Sequence, residues 1–274
     1  MIKKFDKKKL IHRSINIRKR VISNSCQNKI PHLGSCLSVV DILTFIYFYA
    51  SSIDKSNFNK ATRDRIVLSK GHAAPALYFV LEEAGILNED VIKKYSEKKS
   101  YFGEHPPTPG FINGIEAATA SLGHGFSMSL GFAYAAKLKK YSSNFYSIIG
   151  DGESNEGSIW EGAMFASANK LDNVFVFLDF NKWQATDRSL NVLNLDMMEE
   201  KWKSFGWNVL TVDGHNYDQL RLANNQFIKS SKPFIAICNT IKGKGVSFME
   251  DDNNWHYRIP TLDEVNLAFK ELQN

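Results

Sequence analysis

The chain has 274 residues, is 43% hydrophobic and carries a formal net charge of +5. That length suffices for one large α/β unit with a well-developed core, and the apolar fraction is ordinary for a globular chain. Three cysteines, Cys26, Cys36 and Cys238, without Cys-x-x-Cys spacing exclude a disulfide scaffold or a zinc site and read as buried thiols.

The opening is basic, with Lys3, Lys4, Lys7, Lys8, Lys9, Arg13, Arg18, Lys19 and Arg20. Leu10, Ile11, Ile15, Val21 and Ile22 recur beside them near helical spacing, so the charges read as the solvated face of a helix. No aromatic platform accompanies them, so no nucleic-acid partner is expected. An uninterrupted apolar run is missing there, which argues against a secretory signal, and a cytoplasmic location is expected. Residues 39–50 predict a helix; Asp41 and Thr44 interrupt it, and it is too short to span a bilayer, so no membrane is expected. Residues 57–65 read as irregular, and 73–84, closed by Gly85, as a helix. Residues 98–115 form a long loop with Pro106, Pro107, Pro109 and Gly110, the kind of segment that carries function in a compact domain. Helices are predicted at 127–140 and 156–170, and strands around Ile148 and at 173–178, 207–212 and 234–238. This alternation predicts a doubly wound parallel α/β sheet with helices on both faces, one domain over 1–274.

Gly150-Asp151-Gly152-Glu153 follows one predicted strand, and Asn181 follows the next. A right-handed crossover brings both strand ends to one edge, so Asp151 and Asn181 converge there. Mg²⁺ takes oxygen ligands in an octahedron, usually one or two from protein carboxylates and the rest from phosphates, waters and carbonyls. One Asp, one Asn and a diphosphate fit that demand. Gly150 and Gly152 lack Cβ atoms and are expected to turn sharply and let a phosphate approach, in front of a helix N-terminus. Gly243-Lys244-Gly245 is not a P-loop, since no glycine precedes it at the required spacing and no Ser or Thr follows the lysine.

These segments resemble the diphosphate motif of thiamine diphosphate enzymes, and their flanks resemble the transketolase family. The similar stretches are His32-Leu33-Gly34-Ser35, Ser69-Lys70-Gly71-His72-Ala73, Gly103-Glu104-His105-Pro106, Ser121-Leu122-Gly123-His124-Gly125, Val212-Asp213-Gly214-His215, Lys242-Gly243-Lys244-Gly245 and Trp255-His256, in family order. The resemblance implies the thiamine diphosphate-binding fold of the family's N-terminal domain, with thiamine diphosphate and Mg²⁺ as cofactors. It implies Asp151, Asn181 and the Trp183 carbonyl as metal ligands. It implies cofactor contacts from His72, Leu122, Gly123, Gly150, Asp151, Gly152, Glu153, Asn181 and Glu156. Catalytic roles fall to His32, His72, His105 and His256, whose imidazoles ordinarily titrate near neutrality and can move protons while bonding sugar oxygens. Glu156 resembles a dimer-interface carboxylate or simply complements a helix N-terminus. His12 and His215 read as structural.

A full transketolase continues into pyrimidine-binding and C-terminal domains, so the resemblance implies half of a site. A separate pyrimidine-domain subunit is the expected partner, in a heterotetramer built on a dimer of this chain. The implied reaction moves a two-carbon ketol unit from a ketose, phosphorylated or not, to an aldose. The alternatives are another thiamine enzyme, an enzyme of an unusual-sugar pathway, and a non-catalytic cofactor-binding or regulatory subunit. His124 in place of glutamine, Tyr257 in place of glycine, Pro107 where an acid is usual and Trp183 where a small residue is common depart from the family pattern.

Overall fold

The computed structural model describes residues 3–89, 93–95, 97 and 100–273. Strands β1 (Arg65–Leu68), β2 (Phe145–Gly150), β3 (Val174–Phe180), β4 (Asn208–Asp213) and β5 (Phe234–Asn239) form one sheet in the order β1-β2-β3-β5-β4. Every neighbouring pair is parallel. Successive side chains of a strand point to opposite faces, and here both faces are covered. Tyr146, Ile148, Phe175, Phe177, Phe234 and Ala236 enter one hydrophobic cluster. Phe145, Ile149, Val174, Val176, Leu178, Ile235 and Ile237 enter the other. The four predicted strands are present. β1 was not foreseen, because only Ile66-Val67-Leu68 mark it, directly behind Arg63, Asp64 and Arg65.

Helices α1 (Lys7–Asn28), α2 (Leu33–Phe45), α3 (Ala74–Glu83), α4 (His124–Leu138), α5 (Gly157–Ala168), α6 (Ser189–Val192), α7 (Met198–Ser204), α8 (Tyr217–Ile228) and α9 (Leu262–Glu271) surround the sheet. Residues of α1, α2, α3, α8 and α9 pack on the first cluster. Those of α4, α5 and α7 pack on the second. The helix predicted at 39–50 begins earlier, at Leu33, and ends in a π-helical turn at Ile46–Ala50. Leu33–Ala50 is apolar enough to cross a membrane by composition, yet 83% of it is buried inside the fold. It is the central core helix.

The basic face of α1 is solvated at Lys7, Lys8 and Lys9, but the expectation fails for Arg18, which is 5% exposed and faces Asp41. The three cysteines are free and buried. The long loop is pinned: Tyr95 Oη donates to the Gly103 carbonyl at 2.7 Å and Tyr78 Oη to the His105 carbonyl at 3.0 Å. Lys98, its predicted start, lies outside the described residues. Because all strands run the same way, their carboxyl ends share one edge, where a ligand crevice is expected. The loops after β1, β2, β3 and β5 and the start of α2 meet there.

Candidate active site

Gly150 of β2 lies in register with Asp179 of β3, so the residues just beyond them, Asp151 and Asn181, come to the same edge. Asp151 is 2% exposed and Asn181 4%. Asp151 Oδ1 accepts the Gly152 N–H at 2.9 Å, and Oδ2 accepts the Lys182 N–H at 2.7 Å and the Ser189 hydroxyl at 2.8 Å. Burial pushes the Asp151 carboxyl up to about 6. Asn181 Oδ1 accepts the Trp183 N–H at 3.1 Å. A carboxylate or amide oxygen has two acceptor sites, so Asp151 Oδ1 and Asn181 Oδ1 each keep one free. These two are hard oxygen donors, of the kind that suits Mg²⁺ or Ca²⁺ and not softer metals, and Trp183 lines the same pocket. Among the described residues no cluster of three or more His, Cys, Asp or Glu is arranged to hold a metal.

Beneath this edge lies a buried ion pair. Lys70, just beyond β1, donates from Nζ to Asp179 Oδ2 at 2.5 Å, with side-chain exposures of 1% and 0%. Asp179 also accepts the hydroxyls of Ser38, at 2.7 Å, and Thr240. Burial alone would raise the Asp179 carboxyl, but Lys70 and these hydrogen bonds hold it below the usual range.

The edge opens into a pocket of about 250 Å³. It is lined by His32, Ser35, Lys70, His72, His105, Ala120, Leu122, Gly150, Asp151, Gly152, Glu153, Asn181, Trp183, Gln184, Ala185 and His256. Gly150 and Gly152 do not adopt positive φ, contrary to the expectation of a sharp glycine-only turn. A Cβ on Gly150 would meet nothing of the chain nearer than Lys70 at 3.8 Å, so the space in front of it is a cradle that a side chain would fill. The positions that demand glycine are Gly71, where a Cβ would sit 1.2 Å from the Thr119 carbonyl oxygen, and Gly123, at φ +82 with Ser158 Oγ 2.2 Å away. His32 Nδ1 and Gln184 Nε2 are buried at the pocket without a hydrogen-bond partner in the chain. The cradle, the oxygen donors and these orphaned polar atoms fit a polar, phosphate-bearing guest.

Four histidines form one wall. From the His32 ring, centroids lie 4.7 Å from His256, 5.5 Å from His72 and 6.3 Å from His105. His32 sits at φ 65, a conformation costly for a non-glycine residue, and its N–H donates to the His256 carbonyl at 2.7 Å. From this position at the start of α2 the residue lines the pocket. Burial, reinforced by neighbouring imidazoles and by Lys242 and Lys70, pushes His32 down to about 4 and His256 to about 3; burial and Lys70 push His72 well below 6.5. These three are therefore neutral at pH 7. The expectation of imidazoles titrating near neutrality is corrected: at pH 7 these three can donate and accept hydrogen bonds but are not a standing store of imidazolium.

Eleven of the predicted site residues thus line one pocket. Gly123 and Glu156 stand just outside its lining. The Gly123 N–H donates to Glu153 at 2.8 Å. The same carboxylate accepts the Gly150 N–H at 3.1 Å and the Ser69 hydroxyl, so Glu153 stitches three segments together. Glu156 is exposed at the N-terminus of α5, where its side chain makes no cap bond. Sequence reasoning passed over Lys70, Ser35 and Lys242. Lys242 Nζ lies 3.2 Å from His256 Nδ1 and 2.6 Å from Asn253 Oδ1, and burial and Lys70 lower it to about 8. All three lie inside the motif segments already quoted, but nothing local in those segments shows that Lys70 and Lys242 are buried at the site; that depends on the sheet order.

The family described as "Transketolase, thiamine diphosphate binding domain" matches residues 12–272. The chain is 39% identical to the 6-deoxy-6-sulfo-D-fructose transketolase subunit SqwG of a Clostridium species, over 96% of both proteins. It is 37% identical to an apulose-4-phosphate transketolase subunit from Phocaeicola vulgatus, over 93% of this chain and 90% of that one. Its fold superposes on the transketolase of Campylobacter jejuni with a TM-score of 0.89 at 26% identity; it covers 43% of that longer chain.

Proposed function

Because this chain belongs to the transketolase family, we propose that it is the cofactor-binding subunit of a two-subunit transketolase. The observation that carries this is the convergence, on one strand edge, of the Asp151–Asn181 oxygen pair with the His32, His72, His105 and His256 wall. The complex moves a two-carbon ketol unit from a ketose to an aldose, with sugars or sugar phosphates as substrates. Residues 1–274 form one N-terminal domain; a separately encoded pyrimidine-domain subunit faces the open side of the pocket, in a heterotetramer of two copies each. The match to relatives named as subunits over at least 90% of their length supports this division. Three free buried thiols suit the cytoplasm.

Asp151, Asn181 and the Trp183 carbonyl would hold Mg²⁺ and with it the diphosphate of thiamine diphosphate, for which the open space before Gly150 leaves room. When bound, that cofactor supplies the electron sink for breaking and remaking a carbon–carbon bond. The chain's own residues bind and orient the sugar. Neutral His32 and His72 each offer one N–H donor and one acceptor nitrogen to its hydroxyl and carbonyl oxygens, His256, whose Nδ1 accepts from the Lys242 ammonium, offers its Nε2–H, and His105 closes the wall. An acceptor nitrogen of the wall takes a hydrogen bond from the sugar hydroxyl whose proton leaves as the adjacent carbon–carbon bond breaks. Lys242 keeps a positive charge beside His256, which favours the neutral imidazole.

Isothermal titration of the complex with thiamine diphosphate and Mg²⁺ tests the clamp. Asp151→Ala should weaken binding at least ten-fold, about 1.4 kcal/mol. Equal affinity in both proteins would sink the proposal, as would undiminished ketol transfer by this chain without its partner.

A further inference from the structure

Behind the histidine wall lies a buried charge cluster that the functional reading leaves unused. Asp41 of α2 is 5% exposed and accepts four hydrogen bonds. Arg18 gives two, from Nη1 at 3.1 Å and Nη2 at 2.6 Å. His215 Nδ1 gives one at 2.7 Å and Tyr217 Oη one at 3.0 Å. The second nitrogen of His215, Nε2, lies 2.9 Å from the backbone nitrogen of Ile241. An amide N–H can only donate, so Nε2 accepts and the imidazole proton sits on Nδ1, pointed at Asp41. Arg18 uses its remaining Nε to donate to the Lys244 carbonyl at 2.9 Å.

One carboxylate therefore fixes two arms, and the two arms grip the same loop on either side of Lys242. Further bonds close that loop against the site. The Gly243 N–H donates to the Gly34 carbonyl at 3.0 Å, two residues from His32, and the Lys242 carbonyl accepts the Asp251 N–H at 2.8 Å. Lys242 then reaches His256 Nδ1 at 3.2 Å.

We propose that His215 and Arg18, both anchored on Asp41, are positioning residues that hold the 240–245 loop so that Lys242 sets His256 in the sugar channel. This rests on the transketolase reading above. Neither residue touches substrate; each acts through the backbone of that loop. A displacement of about 1 Å in such a group is enough to cost on the order of 100-fold in rate.

The two arms of His215 can be cut separately. His215→Asn keeps an amide N–H near the Nδ1 position for Asp41 and loses the acceptor for Ile241. His215→Gln places an amide oxygen near the Nε2 position and can still accept from Ile241. In the complex with the partner subunit, His215→Asn should lower kcat/KM for the ketose donor about 10- to 100-fold, with the dissociation constant for thiamine diphosphate unchanged. His215→Gln should recover most of that loss at a similar melting temperature. Hydrogen exchange of the Ile241 amide gives an independent readout, slow in wild type and His215→Gln and fast in His215→Asn. Wild-type kcat/KM in the Asn variant, or losses in both variants that simply follow their melting temperatures, would overturn the proposal. If wild type shows no ketol transfer at all, the functional reading fails while exchange still decides the clamp: equal rates in all three proteins overturn it.

Discussion

Replacing Lys70 by methionine strips the charge from the ion pair beneath the site while keeping most of the side-chain volume. The pair is wholly buried and its atoms lie 2.5 Å apart, so the gross attraction is about 7 kcal/mol at an effective dielectric near 20. Most of that is offset by the desolvation of both ions. The measurable quantity is the cost of leaving one of them alone, about 3–5 kcal/mol for a buried pair. Asp179 would keep only the hydroxyls of Ser38 and Thr240, which are neutral donors worth about 1 kcal/mol each. Against a total stability of about 5–15 kcal/mol, the single variant should be close to unfolding. Lys70→Met with Asp179→Asn removes both charges and should be more stable than Lys70→Met alone by about 2 kcal/mol or more.

The pH dependence separates this account from a simple packing defect. In wild type the Asp179 carboxyl is held low, so its stabilisation is present above the unfolded value and is lost as pH falls through the folded one. Without Lys70, burial dominates and the folded carboxyl rises above its unfolded value. The folded state then binds the extra proton, so the stability gap between the variant and wild type should narrow as pH falls towards 5. Denaturant midpoints at constant slope, taken at two pH values, provide the measurement. A Lys70→Met loss below about 1 kcal/mol, or a double variant no better than the single one, would refute the reasoning.

The glycines give a contrast within one strand edge. Gly71→Ala forces a Cβ to 1.2 Å from the Thr119 carbonyl oxygen, so thermal melting should show a loss of more than about 3 kcal/mol or no folded protein. Gly150→Ala meets nothing of the chain inside 3.8 Å and should melt within about 1 kcal/mol of wild type, with cofactor affinity down at least ten-fold by titration. On acidification, His256 titrates at about 3 when folded and near 6.5 when unfolded. The unfolded state therefore binds more protons across that window, and this contribution to stability is lost as pH drops below about 6.5. His256→Asn should lack that loss, on the order of 1 kcal/mol after solvent screening; the difference between the two melting curves isolates it from Asp151, whose raised carboxyl works in the opposite sense.

Much of the fold was legible because parallel strands buried on both faces carry nearly unbroken apolar runs. β2, β3 and β5 announce themselves this way. β1 has three apolar residues at the sheet edge, below the length at which pattern separates strand from loop. α8 and α9 went unassigned although signals existed: Asn216 caps α8, and Thr261 with Glu264 forms a capping box at α9. In the site, Asp151 and Asn181 were readable because each follows a strand, and the four histidines because each stands in a segment that resembles a family motif. Lys70 and Asp179 were not. Their pairing depends on β1 and β3 flanking β2, a fact of sheet order that neither segment encodes locally.

The same geometry explains where the departures from the family pattern fall. Tyr257 is 65% exposed, with its ring 4.6 Å from that of His256 and 5.9 Å from that of His32. It stands at the rim, with solvent on one side, so bulk can be added there without displacing a packed neighbour. His124 is exposed at the first turn of α4 and does not line the pocket. Trp183 keeps its carbonyl whatever its side chain does, and its ring packs under Arg188 at 3.8 Å. The floor has no such freedom: Lys70, Asp179 and Glu153 are each at most 2% exposed, and every one holds backbone or side chains from two or more other segments. A change at the floor therefore disturbs several segments at once, whereas a change at the rim leaves that framework in place; on the proposed function, substrate choice is expected to diverge at the mouth while the floor beneath it stays fixed.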